Sequence, residues 1–134
     1  MCSLDPEKLI FISARNESNT QVDFLKFLVD AIDEKYLKRG DFVVCDNASI
    51  HGGEETLELL LEYLQVNEVT LIYLPAYSPE LNPCELVFAM VKTFLRNNRN
   101  ISIPLLEDIA IGFAIPTKEN MENFYHKCCR SFEK

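Results

Sequence analysis

The sequence predicts an α/β fold with parallel strands covered by helices. Three short apolar runs, LIFISA at 9–14, FVVC inside 41–47 and VTLIYL at 69–74, are continuous rather than alternating, the pattern of strands buried on both faces. Two stretches of helical periodicity separate them. Strand, helix, strand, helix, strand describes successive βαβ units, which favour parallel pairing through right-handed crossovers. The arrangement corresponds to the later half of a mixed sheet.

Each element has its own justification. The run 9–14 carries Ile and Phe, suited to a pleated surface, and 15–19 is a polar turn. From Thr20 the period changes: Val22, Leu25, Leu28, Val29, Ile32 and Tyr36 recur at helical spacing, with Thr20 and Asp23 as a capping pair. Gly40 ends this helix or the turn after it. The second strand loses its apolar character at Asp46. Gly52 and Gly53 then permit a sharp turn, and the next helix carries Leu57, Leu60, Leu61 and Leu64 on one side.

The strand at 69–74 stops at Pro75, and Pro79 and Pro83 stiffen a loop that ends at a helix. Proline suits the first helical position, where no N–H is needed, and Asn82 before it is a good N-cap. This helix buries Val87, Met90, Val91 and Phe94 away from Glu85 and terminates at 97–100. A further helix is expected over 104–114, broken by Pro116. Thr117 caps a last one in which Met121, Phe124, Tyr125 and Cys128 serve packing. There are no repeats, low-complexity tracts or linkers.

Composition narrows the function. Hydrophobic residues make up 48 % of the 134, so a packed core is expected rather than disorder. The chain reads as one domain, 1–134, with 1–8 as an N-terminal tail. No window approaches the roughly 18 apolar residues of a membrane span. Residues 1–7 carry acids and no basic region, unlike a signal peptide, so an intracellular protein is expected. The five cysteines, Cys2, Cys45, Cys84, Cys128 and Cys129, form no CxxC pair, which argues against zinc. Cys45 reads as a small buried hydrophobe, and His126 and Cys128, two apart on a helix, face different ways.

Two acids stand out. Asp46 ends a strand, where open α/β sheets place their chemistry. Glu85 is the third residue of its helix, at the positive end of the dipole, where a carboxylate is favoured; taken alone it reads equally well as a capping residue. Paired carboxylates of this kind suit Mg²⁺ or Mn²⁺, hard cations that prefer oxygen. The net charge of −8 opposes nucleic-acid binding, but its distribution softens the objection. Lys92, Arg96 and Arg99 follow Glu85, and Glu85, Ala89, Lys92 and Arg96 share one helical face. That face is either a solvated polar surface or a path for a DNA backbone.

DNASIH at 46–51 followed by LPAYSPELNPCE at 74–85 resembles the second and third acidic motifs of the mariner-like DDE transposases. The likeness covers nearly the whole chain after Lys8, including FYHKC at 124–128, which is similar to the family's C-terminal end. It implies an α/β, ribonuclease H-like fold, with a partial mixed sheet flanked by helices. It also implies metal-dependent cleavage and strand transfer of DNA, and a nuclear location. Asp46 and Glu85 inherit the metal-ligand role, with Mg²⁺ or Mn²⁺ as cofactor. Asn47 would hydrogen-bond the carboxylates or the phosphate. His51 would donate to phosphate or orient water, or else cap the next helix, and Asn82 is a cap rather than a ligand.

Members of that family carry a first acid on an earlier strand. Here only Asp5 and Glu7 precede the first apolar run, and neither ends one. The expectation is a catalytic domain truncated before its first acidic strand. Three functions stay open: an endonuclease completed by an acid from elsewhere, a catalytically silent remnant that binds DNA or a protein, and a plain interaction domain favoured by the acidic balance. A sheet short of its opening strands exposes an edge and apolar surface, so a homodimer is also expected.

Overall fold

Thr20 opens the first helix, α1 (Gln21–Asp33), through the expected capping box: its N–H donates to Asp23 Oδ2 at 2.7 Å and Asp23 N–H returns to Thr20 Oγ1 at 3.3 Å. The computed structural model describes residues 1–3, 5, 8–46, 54–98 and 101–130. The chain divides into a central unit, Glu17–Ser78, and a terminal unit, Met1–Asn16 with Pro79–Lys134.

In the central unit α1 is followed by β1 (Phe42–Cys45), α2 (Glu54–Val66) and β2 (Thr70–Tyr73). The turn into β1 uses Gly40 at φ 89, in the left-handed region that glycine tolerates. Asp41 Oδ2 accepts from Lys38 N–H at 2.9 Å to close that turn. The two strands pair in parallel, Phe42 with Thr70 through Cys45 with Tyr73. The ladder is extended at both ends, by Thr70 N–H to Asp41 O at 2.9 Å and Leu74 N–H to Cys45 O at 2.7 Å. α2 packs on β2 and on α1, where Tyr63 Oη donates to Asp33 Oδ1 at 3.1 Å. Leu28, Ala31, Leu37, Val43, Leu60, Leu64 and Val69 form the buried interior.

Three expectations fail here. Among the described residues the sheet has two strands, and 9–14 forms none. In its place Met1 and Phe11 exchange backbone hydrogen bonds, Met1 N to Phe11 O at 2.6 Å and Phe11 N to Met1 O at 3.0 Å. Ile10 packs on a helical core instead, and Leu9 is left 87 % exposed. Apolar continuity marks a buried segment, but only a ladder of partners makes it a strand. Nor are both sheet faces covered: Val43 is buried, while Phe42 and Val44 are 66 % and 55 % exposed, the alternation of a half-buried strand. Leu61 is 45 % exposed because the buried stripe of α2 runs through Leu60 and Leu64, four apart.

The terminal unit is helical. A 3-10 turn, Pro79–Leu81, precedes α3 (Pro83–Asn98), α4 (Leu105–Phe113) and α5 (Lys118–Arg130). Val87, Val91 and Met121 form its core, with Cys2, Ile10, Leu95, Phe113, Phe124 and Tyr125 packed around them. Met90 and Phe94 are half-buried. α4 approaches α3 at Gly112, where a Cβ would lie 2.9 Å from Val91 Cγ1, and Phe113 meets Phe88 edge-on at 6.1 Å. Thr117 and Asn120 cap α5 reciprocally, at 2.9 and 3.2 Å. Cys128 is buried and His126 exposed, on different faces as expected. Residues 1 and 2, read as part of a tail, carry defined contacts: Tyr125 Oη donates to Cys2 O at 3.0 Å.

Candidate functional site

Asp46 is placed by the strand before it. It follows Cys45, the last residue of the parallel ladder, and is half-buried. Tyr73 is the partner of Cys45 in register. Burial, and then the neighbouring Cys45 thiol, raise the Tyr73 phenol, which keeps its proton at neutral pH. Sequence reasoning did not single out Tyr73, although its place at the end of the last apolar run was a usable signal. Asn47 and His51 lie outside the described residues.

Glu85 is placed by a cap. Asn82 N–H donates to Pro79 O at 3.0 Å, closing the 3-10 turn. Asn82 Oδ1 then accepts from Cys84 N–H at 3.1 Å, and Asn82 O accepts from Glu85 N–H at 3.1 Å. Asn82 therefore satisfies the free donors at the start of α3 and sets where the helix begins. With Pro83 in the first position, Glu85 is the third helical residue and is exposed.

Ala89, Lys92 and Arg96 are exposed on the same helix. At 1.5 Å per residue Lys92 and Arg96 stand about 10 and 16 Å along the axis from Glu85. Among the described residues none of these three charges forms an ion pair. Arg99 falls outside the described residues. Asn82, Glu85, Lys92 and Arg96 thus share the start and one exposed face of α3, whereas Asp46 belongs to the central unit.

Two further features bear on the chemistry. Cys84, beside Glu85, is half-buried and meets Cys2. The Cys2 thiol donates to the Cys84 sulfur, which lowers the Cys84 thiol to about 6 although burial acts to raise it, and the same contact raises Cys2. No sequence pattern joins cysteines so far apart. The second feature is an open groove of about 420 Å³ in the central unit, lined by residues that include Lys35, Lys38, Arg39 and Glu68. Arg39 and Glu68 form a forked ion pair there, and Asp46 does not line the groove.

As metal donors, Asp46 and Glu85 are hard oxygen ligands and fit Mg²⁺ or Mn²⁺ in kind. Among the described residues no group of three or more His, Cys, Asp or Glu side chains is placed to hold a metal ion. No helix among the described residues is long and apolar enough to cross a membrane. No curated protein and no solved structure matches the chain. Residues 1–103 match the family model described as DDE superfamily endonuclease, a span that contains every candidate residue named above.

Proposed function

The chain belongs to the DDE superfamily of endonucleases, and on that premise we propose that it is the DNA-cleaving part of a mariner-like transposase with a ribonuclease H-like fold. The observation that carries this reading is the placement of two acids at the ends of regular elements inside the matched span: Asp46 directly after β1 and Glu85 in the first turn of α3. The five helices and the parallel pair of strands among the described residues are compatible with that fold.

Asp46 and Glu85 are the carboxylates that hold the divalent metal. The bound metal supplies an activated water or 3′-hydroxyl and charge stabilisation at the leaving oxygen. A third carboxylate, from another segment or another chain, completes the set of about three that two such ions require. Asn82 and Pro83 act as positioning residues, since they fix where α3 begins and hence where Glu85 is presented. Lys92 and Arg96 neutralise the phosphates of DNA lying along α3, against the overall charge of −8.

Nicking of supercoiled plasmid in Mn²⁺ tests the reading. Nicking by the wild type, lost in both Asp46→Asn and Glu85→Gln, supports it; nicking that survives both substitutions overturns it. A second reading, a DNA-binding module without cleavage, is favoured by the exposed Lys92 and Arg96, which need no metal. It predicts no nicking, but plasmid retention that weakens in Lys92→Ala and Arg96→Ala.

A further inference from the structure

Tyr77 lies in the central unit, on the loop that leaves β2. Its side chain is fully exposed, more so than any other large hydrophobic side chain among the described residues. Its backbone is at φ 57, in the left-handed region that disfavours a bulky side chain. Two other non-glycine residues share that region among the described residues, Lys35 at φ 60 and Glu68 at φ 54, and each closes a turn. Lys35 N–H donates to Ile32 O at 2.9 Å, and Glu68 O accepts from Gly40 N–H at 2.9 Å. Tyr77 has no such return: among the described residues it makes no hydrogen bond, ion pair or ring contact. Its neighbours hold the loop instead. Ser78 Oγ donates to Ala76 O at 3.4 Å across it, and Pro75 and Pro79 fix their own φ while biasing Leu74 and Ser78 toward extended backbone. A backbone outlier that no contact in the chain rewards, carrying an aromatic ring into water, fits a residue kept for a ligand.

We propose that Tyr77 stacks on a nucleobase of the DNA strand presented to Asp46, an inference that rests on the DNA-cleaving reading above. Leu74 follows Tyr73, the register partner of Cys45, as Asp46 follows Cys45, and Leu74 N–H donates to Cys45 O at 2.7 Å. Neighbouring strands lie about 5 Å apart, and the three residues from Leu74 to Tyr77 reach at most about 11 Å. Tyr77 therefore stands within about 16 Å of Asp46, a span of at most about five nucleotides along a duplex strand. Cleavage at Asp46 brings bases within that reach, and an unstacked base at a nicked end offers a free aromatic face. Stacking asks only for that face, so the contact holds the strand without reading its sequence.

The test uses two labelled single strands of equal length and charge, oligothymidylate and an abasic deoxyribose-phosphate strand, titrated by anisotropy in EDTA so that nothing is cleaved. The wild type should bind the base-bearing strand at least about fivefold more tightly, the lower end of a base–aromatic stack. Tyr77→Gly should lose that preference, and Lys92→Ala should weaken both strands alike. Glycine takes φ 57 freely and the ring it removes touches no described residue, so Tyr77→Gly should unfold in the same urea range as the wild type. The chain has no tryptophan, so Tyr77→Trp reports on that position alone. Its emission should fall on adding oligothymidylate and stay constant with the abasic strand. Equal binding of the two strands by the wild type, or a base preference that survives in Tyr77→Gly, overturns the stacking and leaves the DNA reading in place. So does constant tryptophan emission while oligothymidylate is bound. No binding of either strand by the wild type overturns both.

Discussion

The central and terminal units hold their acids by different means. Asp46 depends on a ladder of two strands whose register is set by residues far apart in sequence, with Phe42 and Val44 bare on one face. Glu85 depends on a cap made within four residues and on a helix packed against two others. A carboxylate at a strand end is as fixed as its neighbouring strand, whereas one in a capped first turn is fixed locally. Substitutions in the central unit should therefore act on Asp46 through packing, and those in the terminal unit on Glu85 through helix ends.

The largest effect is expected at Leu64, 2 % exposed on α2. Leu64→Ala should destabilise the chain by about 3 kcal/mol, from lost transfer energy and the cavity left behind. Urea unfolding measures the loss, and amide exchange should rise at Phe42–Cys45 and Thr70–Tyr73 before it rises at Pro83–Asn98. Exchange that rises equally in all three would break the distinction between the units.

Gly112→Ala probes the terminal core. Alanine improves helix propensity by about 1 kcal/mol, but its Cβ would stand 2.9 Å from Val91 Cγ1, and a β-branched side chain has little freedom to turn away. Overpacking of about 1–3 kcal/mol should win, leaving a net destabilisation of about 1 kcal/mol by urea unfolding. A stabilised variant would show that α3 and α4 separate easily.

Asn82→Ala removes one side-chain acceptor and should cost about 1 kcal/mol. Its signature is faster amide exchange at Cys84 and Glu85 with little change at Val91. An unchanged first turn would mean that Pro83 alone sets the start of α3.

The smallest effect is expected at Tyr63, whose phenol is raised by burial and by its hydrogen bond to Asp33. With the folded pKa above the unfolded value of about 10, its contribution is complete below that value and is lost as pH rises through the folded pKa. Tyr63→Phe should flatten the alkaline fall in stability and leave the acid side unchanged. An identical alkaline limb in both proteins would remove Tyr63 from the account.

What the sequence made legible was mostly local. Thr20 with Asp23, Asn82 with Pro83, and Thr117 before α5 each name a helix start within a few residues, and each is found there. β1 and β2 were also readable, to within a residue or two, from apolar runs bounded by turn residues. The run at 9–14 was not, because its composition records burial without saying whether a strand or a helical core receives it. Leu61 failed for a related reason, since one position of rotation separates a buried stripe from solvent. The contact of Cys2 with Cys84 has no local signature at all. Asp46 and Glu85 were singled out from motif and element ends together, and each stands at the end of an element as expected, while Asn47, His51 and Arg99 lie outside the described residues.

The central claim, that Asp46 and Glu85 hold a divalent metal, is tested most directly by calorimetric titration of Mn²⁺ into the wild type, Asp46→Asn and Glu85→Gln. The account predicts measurable binding by the wild type and at least about tenfold weaker binding in each variant, the loss of roughly 1.4 kcal/mol or more expected when a ligating carboxylate is removed. Equal Mn²⁺ affinity in all three proteins would contradict it.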